Sequence, residues 1–193
     1  MVSSMRSPET GMSLIEVMMA SLFLTVALLA VAGAMCGGIA ATYVSQEQLI
    51  AKQKAVEALE SVLEARNTQQ ISDFDQINNV ATCNPDTNVC GIFVAGFQPV
   101  QSMGADGIPN TADDTGPVET LTYPGPDGIL GTADDVVVSL SGYKRQITIS
   151  ALTDPYDPTD THYPIRQIDV VVQYTVNGIM KTVTVSSLIS KYS

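Results

Sequence analysis

Two hydrophobic patterns follow one another at the start of the chain. Residues 17–44 form an apolar run that contains no charged side chain, and residues 45–66 continue with apolar positions at helical spacing. This arrangement predicts one long helix over residues 12–66, apolar all round in its first part and amphipathic in its second. About 20 apolar residues in a helix cross the core of a bilayer, so residues 17–44 are predicted to be a transmembrane segment.

The amphipathic part has an apolar stripe that we expect to be buried, with most of its charged residues outside the stripe. The stripe consists of Leu49, Val56, Leu59, Val62 and Leu63. The charged residues outside it are Lys52, Lys54, Glu60 and Glu64.

Beyond residue 67 the pattern becomes one of strands. Runs rich in β-branched residues predict strands at 92–94, 136–140, 145–152, 166–176 and 181–188. Asn177-Gly178, between the last two, is a strong signal for a two-residue hairpin turn. We therefore expect an α+β fold, in which the long N-terminal helix packs on the antiparallel sheet of a β-rich head spanning residues 67–193.

The charge of the chain is strongly negative and unevenly distributed. The formal net charge is −11 over 193 residues, and ten acidic residues but no Lys or Arg lie between Asn67 and Tyr143. This distribution argues against a nucleic-acid surface there, because phosphate backbones are bound by Lys and Arg. An acidic solvated face and a divalent-cation site both remain open.

Cysteines and the single histidine favour a disulfide over a metal centre. Cys36 lies in the apolar run, while Cys83 and Cys90 enclose a short polar loop. Zinc would need two more ligands, and His162 is the only histidine. A disulfide between Cys83 and Cys90 is favoured in an oxidising compartment, with two free thiols as the alternative.

An acidic segment occurs twice. Residues 104–114, the first copy, recur 21 residues later as residues 125–135, the second copy. Each copy has an Asp-Gly turn followed by Thr-Ala-Asp-Asp, which resembles short Asp-Gly-rich calcium loops of secreted bacterial proteins. Calcium binds carboxylate and carbonyl oxygens, so calcium is the predicted ligand, and two turns beside solvated acidic loops are the alternative. The predicted ligands are Asp106, Asp113, Asp114, Asp127, Asp134 and Asp135.

The sequence gives little support for catalysis. It has no Gly-x-Ser-x-Gly segment and no glycine-rich phosphate loop between a strand and a helix. His162 lies in a turn bounded by prolines and is interpreted as a surface histidine. We expect a protein that is not an enzyme.

Glu16 is unusual because it lies at the mouth of the apolar run. A carboxylate close to a membrane is costly and normally has a partner. The segment Gly11-Met12-Ser13-Leu14-Ile15-Glu16-Val17 resembles the prepilin peptidase recognition segment of type IV pilins and pseudopilins, and the likeness extends to about Arg66. Parts of the helix are most similar to minor pilins of the pilus-modification kind.

The resemblance implies roles for individual residues. Residues 1–11 would be the leader, and prepilin peptidase would cut between Gly11 and Met12 and leave an N-methylated Met12. Glu16 would neutralise the amino group of a neighbouring subunit during assembly. Gly33 lies near the position where many pilins carry a helix breaker.

The implied function is that of a structural subunit, a minor pilin, in a type IV pilus. Its partners would be other pilin subunits, prepilin peptidase and the bacterial inner membrane, before the subunit enters an extracellular pilus. A pseudopilin of a type II secretion system, in a periplasmic pseudopilus, is one alternative. A signal-anchored extracytoplasmic calcium-binding domain is another.

Overall fold

A computed structural model of the chain describes residues 11–157 and 164–192. The chain divides into two compact units, residues 1–45 and residues 46–193. The second is called the folded unit below. Leader residues 1–10 and His162 lie outside the described residues.

The chain begins with one long helix, α1, which spans Leu14–Asn67. Its most apolar 18-residue window has a mean hydropathy of 2.4 and no buried residue, so α1 is long and apolar enough to cross a membrane. The helix continues through Gly33 without a break. The long α1 and the antiparallel sheet described next confirm the α+β layout.

Six strands follow the helix and form two antiparallel sheets. The larger sheet has the order β1-β4-β5-β6, and β2 pairs only with β3. Their bounds are β1 Gln98–Pro99, β2 Thr120–Tyr123, β3 Val136–Ser139, β4 Lys144–Ala151, β5 Ile165–Val176 and β6 Ile179–Ser190.

The predicted hairpin at Asn177-Gly178 is confirmed. Val176 pairs with Ile179 across the turn, and both turn residues have positive φ, 52° at Asn177 and 76° at Gly178. This is the combination that a type I′ turn requires. The turn therefore sets the register of β5 and β6, the longest pair in the sheet.

The strand prediction was wrong in three places. Residues 92–94 do not form a strand, because Phe93 makes only an isolated bridge to Asn79. The short strands β1 and β2 were not predicted. The hairpin of β2 and β3 stands apart from the larger sheet, and Leu140 N donates to the Glu119 carbonyl at its base (2.9 Å).

The core of the folded unit lies between the C-terminal part of α1 and the alternating inner positions of β4 and β5. The predicted helical stripe was only partly right, since Leu59 and Val62 are buried but Leu49 is 65% exposed. Four of the eight buried positions of the helix are alanines. The buried positions of α1 are Ile50, Ala51, Lys54, Ala55, Ala58, Leu59, Val62 and Ala65.

Candidate functional site

The predicted processing segment precedes the helix and is exposed. Gly11, Met12 and Ser13 lie outside regular structure, and α1 begins at Leu14. The side chain of Glu16 reaches back to Ser13, whose backbone N donates to Glu16 Oε2 at 3.4 Å. Ser-x-x-Glu is the pattern of a capping box, in which the glutamate stabilises the start of its own helix. The sequence contains this capping signal, whereas the resemblance to prepilins predicts only an assembly role for Glu16.

The apolar segment that follows has no covering protein surface among the described residues. Large side chains from Leu14 to Ile39 are 50–79% exposed. Leaving so many apolar side chains in water is unfavourable by about 25 cal/mol for each Å². The length and apolar character of this segment are compatible with a membrane span.

The two copies of the acidic repeat share most of their internal hydrogen bonds, but Gly104 N donates to Asp114 Oδ1 (2.9 Å) in the first copy, while the equivalent Asp135 Oδ1 has no hydrogen-bond partner among the described residues. In the first copy Thr111 Oγ1 donates to Asp113 Oδ1 at 2.7 Å, and Asn110 N donates to Asp114 Oδ2 at 2.6 Å. The corresponding distances in the second copy, from Thr132 to Asp134 and from Gly131 to Asp135, are 2.6 and 2.7 Å. The sequence repeat is thus a structural repeat.

Glycine and asparagine make this loop possible. A Cβ at Gly104 would collide with Asp113, and one at Gly125 would collide with Asp134. Asn110 (φ 61°) and Gly131 (φ 89°) occupy the equivalent left-handed position, which few residues other than glycine and asparagine adopt readily.

The carboxylates of both copies are used to close the loops. Among the described residues, no group of three His, Cys, Asp or Glu side chains is arranged to hold a metal ion. Hydrogen bonds from Thr111 and Thr132 lower the pKa of Asp113 and Asp134 respectively. Burial raises the pKa of Asp106. Calcium binding by this repeat stays a prediction.

The copies differ in their surroundings. In the first copy Ile108 is 2% exposed and Asn110 is 1% exposed, whereas Ile129 in the second copy is 61% exposed. The side chain of Asn110 donates to the Arg145 carbonyl at 3.0 Å and accepts from Arg145 Nε at 2.8 Å. Only the first copy is therefore fixed to the larger sheet, by way of β4.

A buried ionic cluster joins α1 to the β2–β3 hairpin. Lys54 Nζ lies 2.6 Å from Glu119 Oε2 and 2.7 Å from Glu57 Oε2. Burial alone would lower the pKa of Lys54, but hydrogen bonds to Glu119 and Glu57 outweigh it and raise the pKa. Burial lowers the pKa of the Arg145 guanidinium, and the nearby charge of Glu119 opposes that effect. Lys54 is therefore buried, and the prediction that it lies outside the buried face of the helix is wrong.

The predicted disulfide is present, between Cys83 and Cys90. It lies beside a cavity of about 510 Å³ that Phe74, Asp75 and Arg166 also line. The Arg166 guanidinium stacks 4.4 Å from the Phe74 ring centroid and pairs with Asp75 at 2.9 Å. Burial opposes ionisation of Asp75, but hydrogen bonds from Asn84 and Arg166 leave its pKa below the usual value.

These contacts pair Arg166 with Asp75 at the cavity, which Asp86 and Lys191 also line. Arg166 Nη1 also donates to the carbonyls of Phe74 (2.6 Å) and Ile77 (2.8 Å), which ties β5 to the segment after the helix.

Comparison of the chain with family models, curated proteins and solved structures finds no match. The resemblance to prepilins therefore rests on the residues from Gly11 to Arg66 themselves.

Proposed function

We propose that the chain is a structural subunit, a minor pilin, of a type IV pilus, assembled through its N-terminal helix after removal of residues 1–11. The observation that carries the proposal is the exposed apolar part of α1 with a single carboxylate, Glu16, in its first turn. This segment can be anchored in the inner membrane before assembly and packed against the helices of other subunits afterwards.

Cleavage between Gly11 and Met12 supplies the charge that balances Glu16. The reaction leaves a new α-amino group four residues before Glu16 in the same chain. A carboxylate in an apolar setting is stabilised by a positive partner with good geometry. In the filament, the amino group of a neighbouring subunit would take the place of the Ser13 backbone N, which Glu16 accepts from in the isolated chain.

The mature N-terminus tests the processing step. Mass spectrometry of the protein from its native host is expected to find a chain that begins at N-methylated Met12. An intact Met1, or cleavage beyond the apolar run, would contradict the proposal and favour a signal-anchored extracytoplasmic domain. Recovery of the protein in sheared surface filaments is expected for a pilus subunit, whereas retention in the periplasm favours a pseudopilin.

Glu16 can be tested with two substitutions that separate its charge from its capping role. Glu16→Gln keeps a side chain that accepts a hydrogen bond from Ser13 N but removes the charge, because glutamine also serves in a capping box. Glu16→Ala removes both functions. If charge pairing drives assembly, both variants are cleaved normally and both are lost from sheared filaments.

The outcome that contradicts charge pairing is also specific. Normal incorporation of Glu16→Gln together with loss of Glu16→Ala would mean that Glu16 acts only on its own helix. The state of the N-terminus, measured in the same samples, separates an assembly defect from a processing defect.

A further inference from the structure

The second copy of the acidic repeat lies at the turn of the β2–β3 hairpin, between Tyr123 and Val136. The hairpin is a separate two-stranded sheet. Val136 is 53% exposed and Val137 is 61% exposed, although neighbouring residues of a strand point to opposite faces. An isolated two-stranded hairpin is marginally stable in water, so exposed apolar residues on both faces are costly here.

The first copy shows how this loop packs when it is covered. Its face, formed by Ile108, Asn110 and Thr111, is buried in the folded unit. The Val94 backbone N donates to the Asn110 carbonyl at 2.7 Å, and Arg145 lies against the Asn110 side chain. The loop is thus covered by apolar packing, a backbone donor and a guanidinium.

The equivalent face of the second copy is exposed. Ile129 and Leu130 are each 61% exposed, in place of the buried Ile108 and Pro109 of the first copy. The hydrogen bonds that position Ile108 in the first copy have counterparts at Ile129 in the second, so the second copy presents a similar face without the surface that covers the first.

We propose that the hairpin tip, defined as residues 125–135, docks into a different protein that offers an apolar cleft bordered by Arg or Lys. Ile129 and Leu130 would enter the cleft. The carboxylates of Asp127 and Asp134, both exposed, would face its basic border.

Charge complementarity determines the kind of partner. The tip contributes three carboxylates, and no Lys or Arg lies between residues 67 and 143 to balance them. A second copy of the chain is disfavoured, because each copy has a formal net charge of −11 and like charges repel.

Photo-crosslinking in the producing cell tests the docking surface. A benzophenone amino acid replaces Ile129 in the full-length chain, and the control carries it at Ile179. Ile179 is 64% exposed and lies at the turn of the β5–β6 hairpin, which lacks the acidic repeat. The expected result is an adduct from position 129 but not from position 179. No adduct at 129, equal adducts at both positions, or an adduct with a second copy of this chain overturns the proposal.

The protein in the adduct is then identified by mass spectrometry, purified and titrated with the full-length chain in detergent. Leu130→Asp is expected to weaken binding at least tenfold, because central apolar anchors dominate interface energies. Raising the salt concentration is expected to weaken binding further. Unchanged affinity for Leu130→Asp, or binding insensitive to salt, overturns the proposal.

The test does not depend on the filament proposal. Leu130 is exposed, so its replacement is expected to leave the melting temperature of the folded unit unchanged, and a melt of the variant checks this. Processing at Met12 is measured on the same samples. A normal mature N-terminus without a tip adduct would refute only the docking surface.

Discussion

Replacing Lys54 with methionine removes the cation at the centre of the buried ionic cluster. Lys54 contacts two carboxylates, but these are not equivalent, because the side chain of Glu57 is 38% exposed while that of Glu119 is 14% exposed. Exposed pairs contribute about 0–1 kcal/mol. Removing one partner of a buried pair costs about 3–5 kcal/mol, because the other charge is left without compensation.

Most of the expected cost in unfolding free energy therefore comes from leaving the buried Glu119 carboxylate without its cation. We take the lower end, about 3 kcal/mol, because Glu119 keeps some contact with water and the charge of Arg145 is close by. For a unit of about 150 residues, each kcal/mol lowers the melting temperature by about 2–4 °C. Lys54→Met is thus expected to lower the melting temperature by about 6–12 °C.

The assay is thermal and urea unfolding of residues 46–193, a unit that contains all the buried residues of the described chain. Lys52→Met is the matched control, since Lys52 is exposed on the same helix, and it is expected to change stability by less than about 0.5 kcal/mol. In a double-mutant cycle, Glu119→Gln is expected to recover at least about 1.5 kcal/mol of the loss. A cost below about 1 kcal/mol, or additive effects in the cycle, would refute the reasoning.

Three further predictions concern the repeat and the acidic residues. Asn110→Gly keeps the left-handed backbone but loses two hydrogen bonds to Arg145, so it is expected to lower the free energy of unfolding in urea by about 2–3 kcal/mol. The control is Gly131→Asn at the exposed equivalent position, which is expected to change stability little. The pKa of Asp75 is lowered in the folded state, so Asp75 stabilises the fold above its unfolded pKa, and this stabilisation is lost as pH falls through the folded pKa. Asp75→Asn is therefore expected to reduce the acid-side slope of unfolding free energy against pH. An unchanged slope would contradict this prediction. The pKa of Asp106 is raised by burial, so its effect on stability has the opposite sign. Protonation of Asp106 at low pH removes the cost of burying its charge and therefore stabilises the folded state. Calcium at about 10⁻⁴–10⁻³ M is expected to raise the melting temperature of the folded unit, with magnesium as control; no change up to several millimolar would refute the calcium prediction.

The sequence determined those features that depend on local composition and spacing. The apolar run of α1 is visible because residues 17–44 contain no charged side chain, a pattern typical of a helix long and apolar enough to cross a membrane. The hairpin turn could be predicted from Asn177-Gly178, because few residue types other than asparagine and glycine adopt positive φ at low cost. The acidic repeat is likewise local, because each loop closes through hydrogen bonds between its own residues.

Tertiary structure decided what each local pattern is used for. Lys54 is buried although it is charged, because Glu119 from a distant hairpin lies within 2.6 Å of it. The helix buries alanines and leaves Leu49 exposed, so tertiary packing, and not the size of the side chain, determines which face is covered. Two nearly identical loops differ in burial because only the first copy reaches Arg145. Contacts between residues far apart in the chain cannot be read from the local spacing of the helix or of the acidic repeat. For this physical reason, these differences appear only in the folded structure.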